Sequence, residues 1–87
     1  MRKTWYLYMV RCKNNALYTG ITVDVDARVK THNSGKGAKA VKMLGLPVHL
    51  VYTERVGTYS DALKREREIK KLSKREKEGL LMEPGIR

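Results

Sequence analysis

From Thr4 to Cys12 the chain is rich in aromatic and β-branched side chains and has no glycine or proline, the composition of a half-buried β-strand. Alternation sorts Leu7 and Met9 to one face and Tyr6, Tyr8 and Val10 to the other. Asn14 and Asn15 supply a turn, and Leu17 to Thr22 reads as the returning strand, with Leu17, Thr19 and Ile21 opposite in sense to Tyr18 and Gly20. Loop length then decides which side chains meet. A two-residue Asn14-Asn15 loop puts Tyr8 and Tyr18 on opposite faces, whereas a loop one residue longer puts them on the same face, with Gly20 across from Tyr8. Glycine inside a strand marks a close approach of backbone or ligand.

Beyond the hairpin the period becomes helical. Thr22 and Asp24 are candidate N-caps for a helix that runs to about Ser34 and stops at Gly35. Val25 and Val29 mark its apolar stripe, His32 falls between them, and Arg28 sits on the edge. Gly37 to Leu44 has the composition of a short second helix closed by Gly45 and Pro47. Val48 to Glu54 predicts a third strand in which Val48, Leu50 and Tyr52 alternate against His49, Val51 and Thr53, with His49 a structural or exposed strand residue. After Gly57, Thr58 with Asp61, or Ser60, caps a helix from about Tyr59 to Leu72. Its apolar arc is Ala62, Leu63, Ile69 and Leu72; Glu66 projects into the middle of it, while Glu68 lies outside. Ser73 and Glu76 form a capping box that opens a last helix to about Met82. Residues 1–82 thus read as a single domain and residues 83–87 as a flexible tail.

Charge narrows the partner. The 19 Lys and Arg against 9 Asp and Glu give a formal net charge of +10 at pH 7, which favours DNA or RNA, or an anionic membrane, over a neutral ligand. Lys36, Lys39 and Lys42 recur at every third position and form a basic ridge, read either as solvated surface or as phosphate contacts. The single cysteine, Cys12, excludes an internal disulfide and a multi-thiolate metal site, which suits a reducing compartment; it packs as a small apolar residue. No apolar run approaches the ~18 residues of a membrane span, and Met1-Arg2-Lys3 is not followed by a signal-peptide core, so the expected location is cytoplasmic. A glycine-rich phosphate loop, Cys/His zinc spacing and a serine nucleophile elbow are all missing from the sequence.

Five residues are hard to explain as core: Tyr8, Tyr18, Arg28, His32 and Glu66. A carboxylate holds a divalent cation, a guanidinium neutralises a phosphate, and a phenol or imidazole orients or deprotonates a water, an inventory suited to phosphodiester hydrolysis. The competing reading of Glu66 is a buried salt bridge to an arginine, because an inward carboxylate costs several kcal/mol unless it is paired.

Tyr6-Leu7-Tyr8 with Tyr18-Thr19-Gly20, Arg28-Val29-Lys30-Thr31-His32-Asn33, Gly35-Lys36-Gly37-Ala38, and Ala62-Leu63-Lys64-Arg65-Glu66 with Ile69-Lys70 together resemble the GIY-YIG endonucleases, in particular their small stand-alone bacterial branch. The resemblance runs from about Trp5 to Leu81. It implies an α+β fold, a three-stranded antiparallel sheet flanked by helices in the order β-β-α-α-β-α-α, and metal-dependent cleavage of DNA at one site. Carried over, Glu66 ligates Mg²⁺ or Mn²⁺, and Tyr18 deprotonates or orients the attacking water, with Tyr8 in the same role or hydrogen-bonded to it. Arg28 stabilises phosphate charge, His32 assists proton transfer or positions the water, and Lys36, Lys39, Lys42 and Lys70 contact DNA. A phenol with a pKa near 10 is a poor base at pH 7, so Tyr18 needs the help of Arg28 and the cation.

The first signature reads Tyr-Leu in place of Gly-Ile, the second has Thr19 where isoleucine is usual, and no asparagine follows Asn33. With no separate targeting domain, the expectation is DNA recognised by structure or damage and not by sequence, and weak activity. The alternatives are a nucleic-acid-binding module with the same fold and little or no catalysis, and an adaptor that docks an acidic protein.

Overall fold

A computed structural model describes residues 3–82; the expected tail at 83–87 lies outside the described residues. The elements are β1 (Trp5–Arg11), β2 (Leu17–Thr22), α1 (Val25–Asn33), α2 (Lys39–Leu44), β3 (His49–Gly57), α3 (Tyr59–Lys70) and α4 (Lys74–Leu81). All three strands pair antiparallel in the order β2-β1-β3, so β1 is central and β2 is an edge, and the α+β order is the expected one.

The hairpin closes through Lys13, Asn14 and Asn15. Cys12 and Ala16 are bonded across its base, the Cys12 amide donating to Ala16 O at 2.9 Å, and the Asn15 amide turns back to Cys12 O at 2.8 Å. Asn15 takes φ 72°, the left-handed conformation that asparagine tolerates and that a loop of this length demands. This is the longer of the two loop alternatives. Tyr8 consequently pairs with Gly20 and Val10 with Tyr18, so both phenols share one face.

Helices cover both faces of the sheet. On one side Tyr8, Val10, Cys12, Val41 and Val48 form a buried cluster against which Tyr18, Val25, Val29, Ala38 and Leu44 pack, so this side belongs to α1 and α2. On the other, Leu7, Met9, Tyr52 and Ile69 are buried with Leu72, Leu80 and Leu81 around them, the α3 and α4 layer. Cys12 is buried and free, as expected.

The third strand departs from simple alternation. Met9 pairs with Tyr52 but Val10 pairs with Leu50, so Val51 is an extra residue in a bulge. Below it Val48 packs toward α1 and α2; above it Tyr52 packs toward α3, although a period of two would put both on one face. The strand also runs on to Gly57, past the expected end at Glu54.

Caps follow the sequence closely. Asp24 and not Thr22 caps α1, accepting the Ala27 amide at 3.1 Å. Thr58 caps α3 through the Asp61 amide at 3.1 Å, and the Ser73/Glu76 capping box opens α4. α2 is shorter than predicted, starting at Lys39, because Gly37 and Ala38 remain outside the helix, and α3 ends at Lys70, two residues before the expected Leu72.

The end of α1 is tied to the sheet by Asn33, whose Oδ1 accepts the Val48 amide at 2.7 Å and whose Nδ2 donates to Val48 O at 3.1 Å. One side chain thus satisfies both polar groups of a backbone unit that enters the core, and holds α1 in place over β1. Asn33→Ala leaves both groups unpaired, with an expected loss of about 1–3 kcal/mol in unfolding free energy measured by urea denaturation. A loss of only a few tenths of a kcal/mol would show the clasp to be dispensable.

Candidate active site

Tyr8 stands at the middle of the central strand, where its ring lies across Gly20. A Cβ at Gly20 would come within 2.6 Å of Tyr8 Oη and 2.8 Å of Cζ, so glycine is what lets the phenol lie over the edge strand. The Tyr8 hydroxyl meets His32 Nε2 at 2.8 Å. His32 comes from the inward face of α1 and is 1 % exposed. Tyr18 presses on the same imidazole, ring centroids 5.6 Å apart and nearly perpendicular. A Cβ on Gly37 would collide with His32 Nδ1, so the segment after α1 passes directly over the ring.

These groups line one cavity of about 440 Å³, whose wall is Tyr8, Tyr18, Gly20, Ile21, Arg28, His32, Lys36, Gly37, Ala38 and Glu66. All five residues expected at the site are therefore brought together. Arg28, one turn before His32, is on the exposed side of α1. Glu66 belongs to α3, in the opposite layer, and reaches this cavity beside Gly20 and Ile21 of the β2 edge.

Burial sets the protonation of the inner pair. The Tyr8 phenol is held well above its ordinary value of 10, first by desolvation and then by Tyr18, with Arg28 opposing and Glu66 adding to the rise. His32 is lowered, first by burial and then by the Arg28 charge. Both are neutral at pH 7, and His32 Nδ1 is buried without a partner. An orphaned N–H is costlier than an orphaned lone pair, which favours the tautomer with its proton on Nε2. His32 then donates to Tyr8 Oη, and the phenol O–H is free to serve the cavity. Tyr8 is bonded to His32 and, among the described residues, not to Tyr18.

Glu66 faces a different situation. Its ion partner is Lys70 on its own helix, at 3.4 Å, and among the described residues no arginine takes the role that the salt-bridge reading required. Pairs of this kind with a half-exposed lysine contribute only about 0.3–0.5 kcal/mol. Its neighbour Arg65 turns the other way and grips Glu54 of β3 with two bonds, 2.7 and 2.9 Å, while the Tyr52 hydroxyl also donates to Glu54. That grip fixes the rotation of α3 on the sheet, and with it the direction in which Glu66 points.

The lysines divide. Lys36 lines the cavity, Lys39 and Lys42 are exposed on α2 outside it, and Lys70 is held by Glu66. The sequence does not show the roles of Asn33 and Gly37, although both stand in the motifs that carry the resemblance, nor the Arg65–Glu54–Tyr52 network. Apart from those motifs, only Gly37 left a signal, as a second glycine two residues beyond a helix stop.

No group of three or more His, Cys, Asp or Glu that could hold a metal occurs among the described residues. Among the described residues Glu66 is the one carboxylate in the cavity wall. That donor set fits Mg²⁺ or Mn²⁺, which are held by one or two carboxylates and completed by water and substrate phosphate. It does not fit zinc.

Phenol pair, imidazole, guanidinium and carboxylate thus share one cavity beside a hairpin of this register. The chain belongs to the GIY-YIG family: residues 4–79 match the GIY-YIG catalytic domain. It is 53 % identical over 79 residues to a UPF0213 protein of Citrobacter koseri, covering 91 % of this chain and 78 % of that one. It is also 53 % identical over 72 residues to a UPF0213 protein of Staphylococcus haemolyticus, covering 83 % and 87 %. Among solved structures, the solution NMR structure of a UPF0213 protein from Bacillus halodurans superposes with a TM-score of 0.57 at 44 % identity, covering 90 % of this chain and 82 % of that one. A protein of E. faecalis superposes with a TM-score of 0.62 at 37 % identity, covering 92 % and 84 %.

The buried imidazole makes stability depend on pH with a definite sign. Above pH ~6.5 the folded and unfolded states are both neutral at His32; below it the unfolded ring takes up a proton that the folded ring refuses. Unfolding free energy therefore falls as pH drops from ~6.5 toward the lowered folded value, and His32→Gln removes that part of the dependence. NMR titration showing the folded His32 ring protonating at or above ~6.5 would contradict this.

Proposed function

We propose that this chain is a metal-dependent nuclease that hydrolyses DNA phosphodiester bonds, directed by DNA structure or damage and not by sequence. The observation that carries the reading is the arrival of Glu66 from α3 in the cavity that already holds Tyr8, Tyr18, Arg28 and His32. An inward carboxylate with only a weak lysine partner wants a stronger cation, and a phosphate brought in by the basic surface completes its coordination. The family membership supports nucleic acid as the substrate class.

In this reading Glu66 holds Mg²⁺ or Mn²⁺, and the ion, when bound, offsets charge developing on the scissile phosphate and the leaving oxygen. Arg28, on the exposed side of α1, neutralises a further phosphate oxygen. Tyr8, neutral and oriented by His32, donates its hydroxyl hydrogen to a phosphate oxygen or to the attacking water; its raised pKa removes it as a base. Tyr18, on the same face, is left to orient the water and, once its own proton has passed to solvent with the help of the neighbouring positive charge, to accept the proton of that water. Lys36 at the cavity wall, and Lys39 and Lys42 beyond it, neutralise flanking phosphates, and Lys70, now paired with Glu66, would join them if that pair opened. Among the described residues no helix is long and apolar enough to cross a membrane.

Glu66→Gln keeps the size and hydrogen-bonding capacity of the side chain and removes its charge. Mg²⁺-dependent nicking of supercoiled plasmid and of branched DNA is expected to fall about 10²-fold or more while salt-dependent DNA binding persists. Nicking at equal rates by the two proteins would refute the assignment. Binding without turnover by wild type in any divalent metal would leave the nucleic-acid-binding module.

A further inference from the structure

A second groove, of about 470 Å³, lies at the start of β1 and of α3 and is lined by Lys3, Trp5, Thr58, Tyr59 and Ser60. Trp5 and Tyr59 form a ring pair with centroids 4.8 Å apart, tilted by 58°. Because the rings are tilted they do not stack face to face, and Tyr59 is 52 % exposed. A chain with so small a core gains most by burying its large aromatic rings, which carry 150–250 Å² each by general rule. Leaving such a pair at the surface calls for an occupant.

We propose that this groove is a stacking platform for an unpaired nucleobase. Among the described residues its lining contains a lysine and the hydroxyls of Thr58, Tyr59 and Ser60 but no acidic residue, on a chain of net charge +10, so the complementary occupant is an anionic polymer that also presents flat aromatic faces. In a duplex the base faces are covered by their neighbours in the stack; a frayed, flapped or looped nucleotide exposes them. The base lies on the Tyr59 and Trp5 rings, and Lys3 neutralises the adjoining phosphate.

The position suits a substrate already engaged at the cavity. Tyr59 precedes Glu66 by about 10 Å of helix at ~1.5 Å per residue, on the same face of α3, while Trp5 reaches the groove from the sheet face opposite Tyr8. An unpaired base held here lies about two helical turns along α3 from Glu66, and the platform selects DNA with unpaired nucleotides beside the cleavage site. This deepens the nuclease reading and rests on its choice of nucleic acid as substrate.

Trp5 is the only tryptophan, so its fluorescence reports on the groove directly. Without divalent metal, a short single-stranded oligothymidylate is expected to quench Trp5 emission and to bind about tenfold tighter than an abasic strand of equal length and charge. Tyr59→Leu, which keeps apolar contact but loses the aromatic face, should bring that preference close to one and leave affinity for the abasic strand unchanged. Tyr59 is half exposed in the first turn of α3, and thermal melting by circular dichroism verifies that the variant is folded. Equal affinity of wild type for the two strands, with Trp5 emission unchanged, overturns the platform while DNA binding stands; so does a preference undiminished in Tyr59→Leu. Binding of neither strand overturns the nucleic-acid reading together with it.

Discussion

The parity of one turn governs this molecule. With Lys13, Asn14 and Asn15 in the loop, Tyr8 falls opposite Gly20 and shares a face with Tyr18; one residue fewer would send one of the two phenols into the α3 layer. Asn15 makes the odd loop possible because its side chain tolerates the left-handed backbone that the turn imposes. Once parity is set, Gly20 leaves the phenol room to lie across the edge strand, and His32 finds the hydroxyl at 2.8 Å. The rest of the fold holds helices over that arrangement. Asn33 fastens α1 to the start of β3 on one side, and Arg65 fastens α3 to Glu54 on the other.

The cavity separates neutral from charged groups by depth. Its floor is a phenol and an imidazole that burial keeps uncharged, while its rim carries Arg28, Lys36 and Glu66. Desolvation of several kcal/mol would oppose a charge on the floor, which is why the proposed reaction gives proton transfer to Tyr18 and keeps Tyr8 with His32 as a neutral donor. A single carboxylate against two cations at the rim leaves the empty cavity electropositive, which suits the capture of a phosphate before or together with its metal.

Much of this was legible in the sequence because short-range rules fix it. Caps at Asp24, Thr58 and Ser73, the hairpin turn, and the gathering of Tyr8, Tyr18, Arg28, His32 and Glu66 all follow from local pattern and the family resemblance. What failed was decided by contacts between distant residues. The bulge at Val51 reverses the sense of β3 and sends Val48 and Tyr52 to opposite faces, and nothing within the strand announces it. Gly37 stays out of α2 because it lies against His32, and the partner of Arg65 lies 11 residues back on another strand. The two alternatives for the loop were visible, but choosing between them needed the backbone of Asn15.

The central claim, that Glu66 and the opening hairpin jointly form a cation and phosphate site, is tested most directly by paramagnetic broadening of the protein's NMR spectrum. With inorganic phosphate present, substoichiometric Mn²⁺ should broaden the amide signals of Gly20, Arg28, Gly37 and Glu66 first, and Glu66→Gln should abolish the effect. Broadening that centres on the carboxylates of Asp24 and Asp26, or that survives Glu66→Gln, would contradict the account.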